Sequence, residues 1–62
     1  MKINNVPSYA ANHKYWIVRD CGKDGYYFYG GWDKLHTAQA ISRTINNGFV
    51  YKNVGFIDKE KK

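Results

Sequence analysis

Cys21, His13 and His36 are the only thiol and imidazole side chains in the 62-residue chain, and their spacing supports neither a nucleophile nor a metal centre. A structural zinc site takes four ligands, with Cys and His at short helical or knuckle intervals. Cys21 falls in a predicted hairpin loop between Asp20 and Gly22, with no base placed beside it to make it a nucleophile. Asp20 and Asp24 fall at loops and Asp33 at a predicted helix start, so no two carboxylates form an acid–base pair. Gly30-Gly31 lacks the glycine spacing and the lysine of a phosphate-binding loop. Glycines in an aromatic strand instead mark a bulge, or a place where a ring lies flat on the backbone. The expectation is a protein without catalytic, cofactor-binding or metal-ligating residues, and not an enzyme.

The chemistry that remains is that of rings and a guanidinium. Five of the seven residues from Tyr26 to Trp32 are aromatic. A strand points alternate side chains to opposite faces, so burying one face leaves the other displaying large rings. A three-residue hairpin loop with Gly25 in the left-handed position would pair Gly22 with Tyr26. Trp16 and Val18 then share a face with Phe28, Gly30 and Trp32, and this more apolar face is predicted to meet the helix. Tyr15, Ile17 and Arg19 share the other with Tyr27, Tyr29 and Gly31. Tyr15, Ile17, Arg19, Tyr27 and Tyr29 are accordingly the predicted partner-binding face. Tyrosines beside an arginine suit a protein interface, where Tyr, Trp and Arg dominate the binding energy. They also suit base stacking, because every base has a flat π face.

These side chains need a scaffold, and the chain is just long enough to supply one small domain. Residues 1–13, polar and containing Pro7, read as an N-terminal arm with a short strand near Ile3–Val6. Lys14–Asp20 is rich in β-branched and aromatic residues, as a strand requires. Gly22-Lys23-Asp24-Gly25 is a turn, and Tyr26–Trp32 a second strand, so the two form an antiparallel hairpin. Asp33 is placed to cap a helix over about Lys34–Asn46, whose Leu35, Ala38, Ile41, Ser42 and Ile45 fall on one stripe. Gly48 is placed to end it in a left-handed turn. Phe49–Ile57 reads as a last strand, with a break at Lys52-Asn53 or a bulge at Gly55 as the alternatives to an unbroken one, and residues 59–62 as a charged tail. The predicted fold is α+β: a small antiparallel sheet, hairpin plus C-terminal strand, with one helix on one face in ββαβ order, spanning residues 14–58. Trp16, Val18, Phe28, Trp32, Leu35, Ile41 and Ile45 are its expected core. His36, Gln39 and Arg43, on the outer helix surface, form a secondary candidate contact site.

Composition narrows the partners. The net charge is +5, but Lys59-Glu60-Lys61-Lys62 contributes +2 of it, leaving +3 for residues 1–58. A weakly basic chain favours acidic partners without requiring them. No stretch approaches the roughly 18 apolar residues of a membrane span, and the first residues lack the apolar run of a signal peptide. A lone cysteine excludes an internal disulfide and fits a reducing, cytoplasmic setting.

The segment Tyr29-Gly30-Gly31-Trp32-Asp33-Lys34-Leu35-His36-Thr37-Ala38-Gln39-Ala40 resembles the strand-to-helix passage of the ethylene-response-factor type DNA-binding domain. In that family an aromatic–glycine–aromatic–aspartate run leads into an alanine-rich helix, behind a three-stranded sheet that enters the major groove. Here a strand follows the helix, and Arg19 stands alone where that sheet carries several arginines. The whole chain is similar in size and style to the very short Lys/Asn/Tyr-rich proteins of phages and prophages of low-GC Gram-positive bacteria. That resemblance implies an effector that binds and blocks a host or defence protein. The expected partner is therefore a protein, with a homodimer also expected and nucleic acid as the alternative; no membrane partner is expected.

Overall fold

A computed structural model describes residues 2–55. The elements are β1 (Ile3–Asn4), a 3-10 turn (Ser8–Asn12), β2 (Tyr15–Asp20), a second 3-10 turn (Gly22–Asp24), β3 (Tyr26–Trp32), α1 (Leu35–Ser42) and β4 (Gly48–Lys52). The four strands form one sheet in the order β1-β3-β2-β4. The small α+β fold expected from the sequence is present, with the hairpin, the helix and the C-terminal strand in their expected order.

The sheet is not wholly antiparallel. β1 pairs with β3 in parallel, Ile3 beside Tyr26 and Asn4 beside Tyr27. The chain leaves β1, crosses one face of the sheet through the first 3-10 turn, and returns into β2 on the far side of β3. The segment read as an arm is thus part of the domain, and Ala10 within it is fully buried.

The hairpin loop is longer than the three-residue turn expected, and Asp20, not Gly22, stands opposite Tyr26. Cys21 donates its N–H to the Gly25 carbonyl at 2.8 Å, and Asp20 Oδ1 accepts from the Gly22 N–H at 3.0 Å. Gly25, at φ 90° and ψ −153°, occupies a region open to glycine alone. The even parity of the pairing survives through Arg19–Tyr27 and Val18–Phe28. A register shift between Ile17 and Val18 then places Gly30 opposite Ile17, and Trp32 opposite Tyr15. Tyr29 is the extra residue of this β-bulge. Beyond it every side chain of β3 changes face, so Trp32 lies with Ile17 and not with Trp16.

The two large side chains with no exposed surface, Ile17 and Val18, are neighbours on the central strand. Consecutive strand residues point in opposite directions, so the sheet is covered on both sides. On the Ile17 side lie Val50, directly across in β4, and α1, which touches β2, β3 and β4. The side chain of Ile45 sits against Gly48, on the same face. On the Val18 side the cover is aromatic. Trp16 meets Phe28 edge-on at 5.4 Å and Tyr51 at 5.5 Å, while Tyr26 meets Phe49 edge-on at 5.9 Å. The first 3-10 turn completes this layer, with Tyr9 edge-on to Phe28 and Ala10 beneath the Trp16 ring nitrogen.

The helix therefore packs on the opposite face from the one expected, and the core changes accordingly. Trp16, Phe28 and Trp32 are half-buried rather than the deepest side chains, and Leu35 is 42% exposed at the helix start. Ala38 is fully buried, with Ile41 and Ile45 half-buried below it.

Both ends of α1 differ from expectation. Asp33 does not cap it; Lys34 holds the cap position and makes no side-chain bond, while the Asp33 carboxylate faces His13. At the other end Ser42 and Thr44 donate their hydroxyls to the carbonyls three residues back, at 2.9 and 2.7 Å. Such bonds compete with the α-helical pattern, and tight turns replace the last predicted helical residues. Asn47, at φ 62°, makes the left-handed turn assigned to Gly48, which instead opens β4. The last strand ends at Lys52, with a turn at Val54 and Gly55, and residues 56–58 of the predicted domain and the 59–62 tail lie outside the described residues.

Candidate contact surface

Tyr29 is the most exposed ring of β3, at 52%, because the bulge leaves it with no partner across the strand. A bulge re-aims a side chain away from the ladder, and here it holds a tyrosine out from a strand that is otherwise pinned. Arg19, exposed, and Tyr27, half-buried, stand directly opposite one another two residues away along β3. Asn4 flanks Tyr27 on the other side and fixes β1 by donating its side-chain N–H to the Tyr26 carbonyl at 3.1 Å. Tyr29 thus lies near the middle of β3, two residues along the strand from the Arg19–Tyr27 pair.

The other two members of the expected face separate from them. Ile17 is wholly buried against the helix side of the sheet and cannot reach a partner. Tyr15 is half-buried at the opposite end of β2, beside Trp32 and Lys52. Sequence reasoning placed all five on one open surface because it did not foresee the bulge, and so put the helix on the wrong face. The signal was present in Gly30-Gly31, where both behaviours of a strand glycine occur together. A Cβ on Gly30 would fall 2.5 Å from the Trp32 ring, which therefore lies flat on the backbone next to the bulge.

His36, Gln39 and Arg43 are exposed, and their spacing of three and four residues places them on one side of the helical segment. From Leu35 to Ser42 there is no Asp, Glu, Lys or Arg.

Two polar clusters were not anticipated. His13 Nδ1 lies 3.1 Å from Asp33 Oδ1, joining the end of the first 3-10 turn to the β3–α1 connection. The Ala10 carbonyl accepts from Trp16 Nε1 at 2.8 Å and from Asn53 Nδ2 at 3.4 Å. Asn53 also donates to the His13 carbonyl at 3.0 Å, and its Oδ1 accepts from the Gly55 N–H at 3.1 Å. Buried amides of this kind are held by complete hydrogen bonding, and they fasten the N-terminal crossing to the end of β4. The Asn53-Val54-Gly55 turn was the available cue.

The His13–Asp33 pair and Cys21 lie beyond opposite ends of β2, about 20 Å apart at a strand's rise per residue. Among the described residues no group of three His, Cys, Asp or Glu side chains could hold a metal ion. No helix among them is long and apolar enough to cross a membrane. Compared with known proteins, the chain matches no family model, and no curated protein or solved structure is significantly similar to it.

Proposed function

We propose that this chain is a small non-enzymatic binding protein, a phage-type effector that blocks a host or defence protein by occupying its surface. The observation that supports this most is Tyr29, raised on a β-bulge beside the Arg19–Tyr27 pair. A rigid, half-desolvated tyrosine–arginine group on a sheet is what protein hot spots are made of. It lowers the entropy lost on binding, because the ladder already fixes the backbone on both sides of the bulge. Nucleic-acid binding through the sheet tyrosines is the alternative. Protein recognition is favoured because α1 covers the middle of that face, dividing Tyr15 from Tyr27, whereas base stacking needs a continuous platform.

Affinity capture from a low-GC Gram-positive lysate tests the reading, comparing the parent with Arg19→Ala/Tyr29→Ala in nuclease-treated and untreated extract. A protein retained by the parent after nuclease treatment and lost by the variant is expected. Capture that disappears with nuclease would transfer the function to nucleic acid. Equal capture by both chains would remove Tyr29 and Arg19 from the contact surface.

A further inference from the structure

The two outer strands of the sheet are built differently. β1 is two residues long and is followed by Asn5 at φ 61° and by Pro7, which are ordinary devices for blunting an edge. β4 is five residues long, contains no proline, and has its one charge, Lys52, at its last position. Its hydrogen-bonding direction follows from two bonds that flank it. Asn53 donates to the Lys14 carbonyl at 2.9 Å, and Asp20 donates to the Asn47 carbonyl at 2.9 Å. In an antiparallel ladder the bonded pairs alternate, so Asn47, Phe49, Tyr51 and Asn53 turn their backbone groups toward β2. Gly48, Val50 and Lys52 turn theirs outward. The Gly48 N–H is taken by the Ile45 carbonyl at 3.1 Å. What faces outward from β4 is therefore the N–H of Val50 and Lys52 and the carbonyls of Gly48, Val50 and Lys52.

The geometry points to a second copy of this chain on that edge, joined β4 to β4 in antiparallel register with the two-fold axis at Val50. The pattern is self-complementary. Val50 meets Val50 of the other copy and exchanges two bonds with it, and each Lys52 N–H reaches the Gly48 carbonyl opposite, giving four interchain bonds in all. Because the Gly48 N–H is already taken, the Gly48–Lys52 pairs make one bond each instead of two, and each Lys52 carbonyl is left to solvent. Lys52 faces glycine and not another lysine, so the edge charge that would repel a different register is accommodated. Phe49 falls opposite Tyr51 of the other copy in the non-bonded pairs, where side chains approach closest. Both rings belong to the aromatic face, so the series Phe28–Trp16–Tyr51 continues across the axis. An isologous interface requires such self-complementarity, and few registers of a five-residue strand supply it. The seam leaves Tyr29 untouched, since β2 lies between β4 and β3. The pair would present two copies of the contact surface proposed above, yet its formation does not depend on that reading.

Sedimentation equilibrium of the full chain decides the matter, together with a chain synthesised with an N-methyl group on Val50. That change deletes an outward N–H while keeping the side chain and every bond to β2. The parent should move toward twice its 7.2 kDa as concentration rises to about 1 mM. The N-methyl chain should associate at least about tenfold more weakly, because half of the interchain bonds involve that amide. Each copy carries +5, so added salt should strengthen the parent's association. A strict monomer at 1 mM overturns the proposal, as does equal association of the two chains, or association that salt weakens. If the N-methyl chain fails to fold, isotope-filtered NMR on a mixed sample of the parent decides: an interchain contact between the α-protons of Phe49 and Tyr51 supports this register, and its absence in an associated sample overturns it.

Discussion

At Gly30 the missing side chain decides where a whole ring goes. A Cβ there would stand 2.5 Å from the Trp32 indole, and one on Gly31 would stand 2.9 Å from the His13 imidazole. Replacing a strand glycine by alanine ordinarily helps, since glycine loses the most backbone freedom on folding. Here the sign should reverse. Gly30→Ala is expected to lose about 1–3 kcal/mol by overpacking, read from urea unfolding. Adding Trp32→Ala should make the Gly30→Ala penalty largely vanish, the coupling that direct contact produces. Trp16 offers the converse case. Its ring touches Phe28 and Tyr51 and its Nε1 donates to the Ala10 carbonyl. Trp16→Ala should remove about 3 kcal/mol or more, enough to unfold a large fraction of so small a domain by circular dichroism. Trp16→Phe, keeping most of the packing but not the donor, should lose less.

Among the elements, those written in local patterns were readable and those written in long-range contacts were not. Glycine-rich turn residues between two β-branched and aromatic runs announce the hairpin, and the Ala38, Ile41 and Ile45 spacing announces the helix, because both depend on neighbours within a few residues. The helix boundaries were missed where side chains compete for backbone partners: Asp33 bonds His13 rather than the first turn, and Ser42 and Thr44 bond carbonyls that an α-helix would use. The bulge was missed because one unpaired residue leaves almost no local trace, yet it reverses the facing of everything beyond it. That single slip carried Ile17 from the candidate surface to the core. The attachment of residues 8–13 was hard to read for a different reason, since part of it rests on Asn53, 43 and 40 residues away from its acceptors. Asn53→Ala should therefore lose about 1–3 kcal/mol, and hydrogen exchange should show the Ser8–His13 amides opening more readily than those of β2 and β3.

At the scale of the molecule the surplus of rings is resolved by a third layer. The sheet lies between α1 on one side and an aromatic layer under the 3-10 turn on the other, so most rings are half-buried and few are displayed. Tyr9 and Tyr29 are the exceptions among the described rings, and Tyr29→Ala should leave the melting temperature nearly unchanged while weakening partner binding by about 2 kcal/mol. Removing residues 59–62, a net +2, should hardly affect a protein complex, but would weaken a nucleic-acid complex and flatten its salt dependence, as measured by titration at two ionic strengths. The Asn53 latch also sets an order of events in time. Its acceptors lie at Ala10 and His13, so this fastening of the N-terminal crossing forms only after almost the whole described chain has been made. The hairpin can close early because its contacts are local, and β1 and the turn can dock on it through Asn4 and Ala10, but the bonds from Asn53 must wait for the end of β4. A nascent chain stopped before Asn53 should thus be more sensitive to protease across residues 8–13 than the full chain, and the closing of this latch should be a late step in refolding.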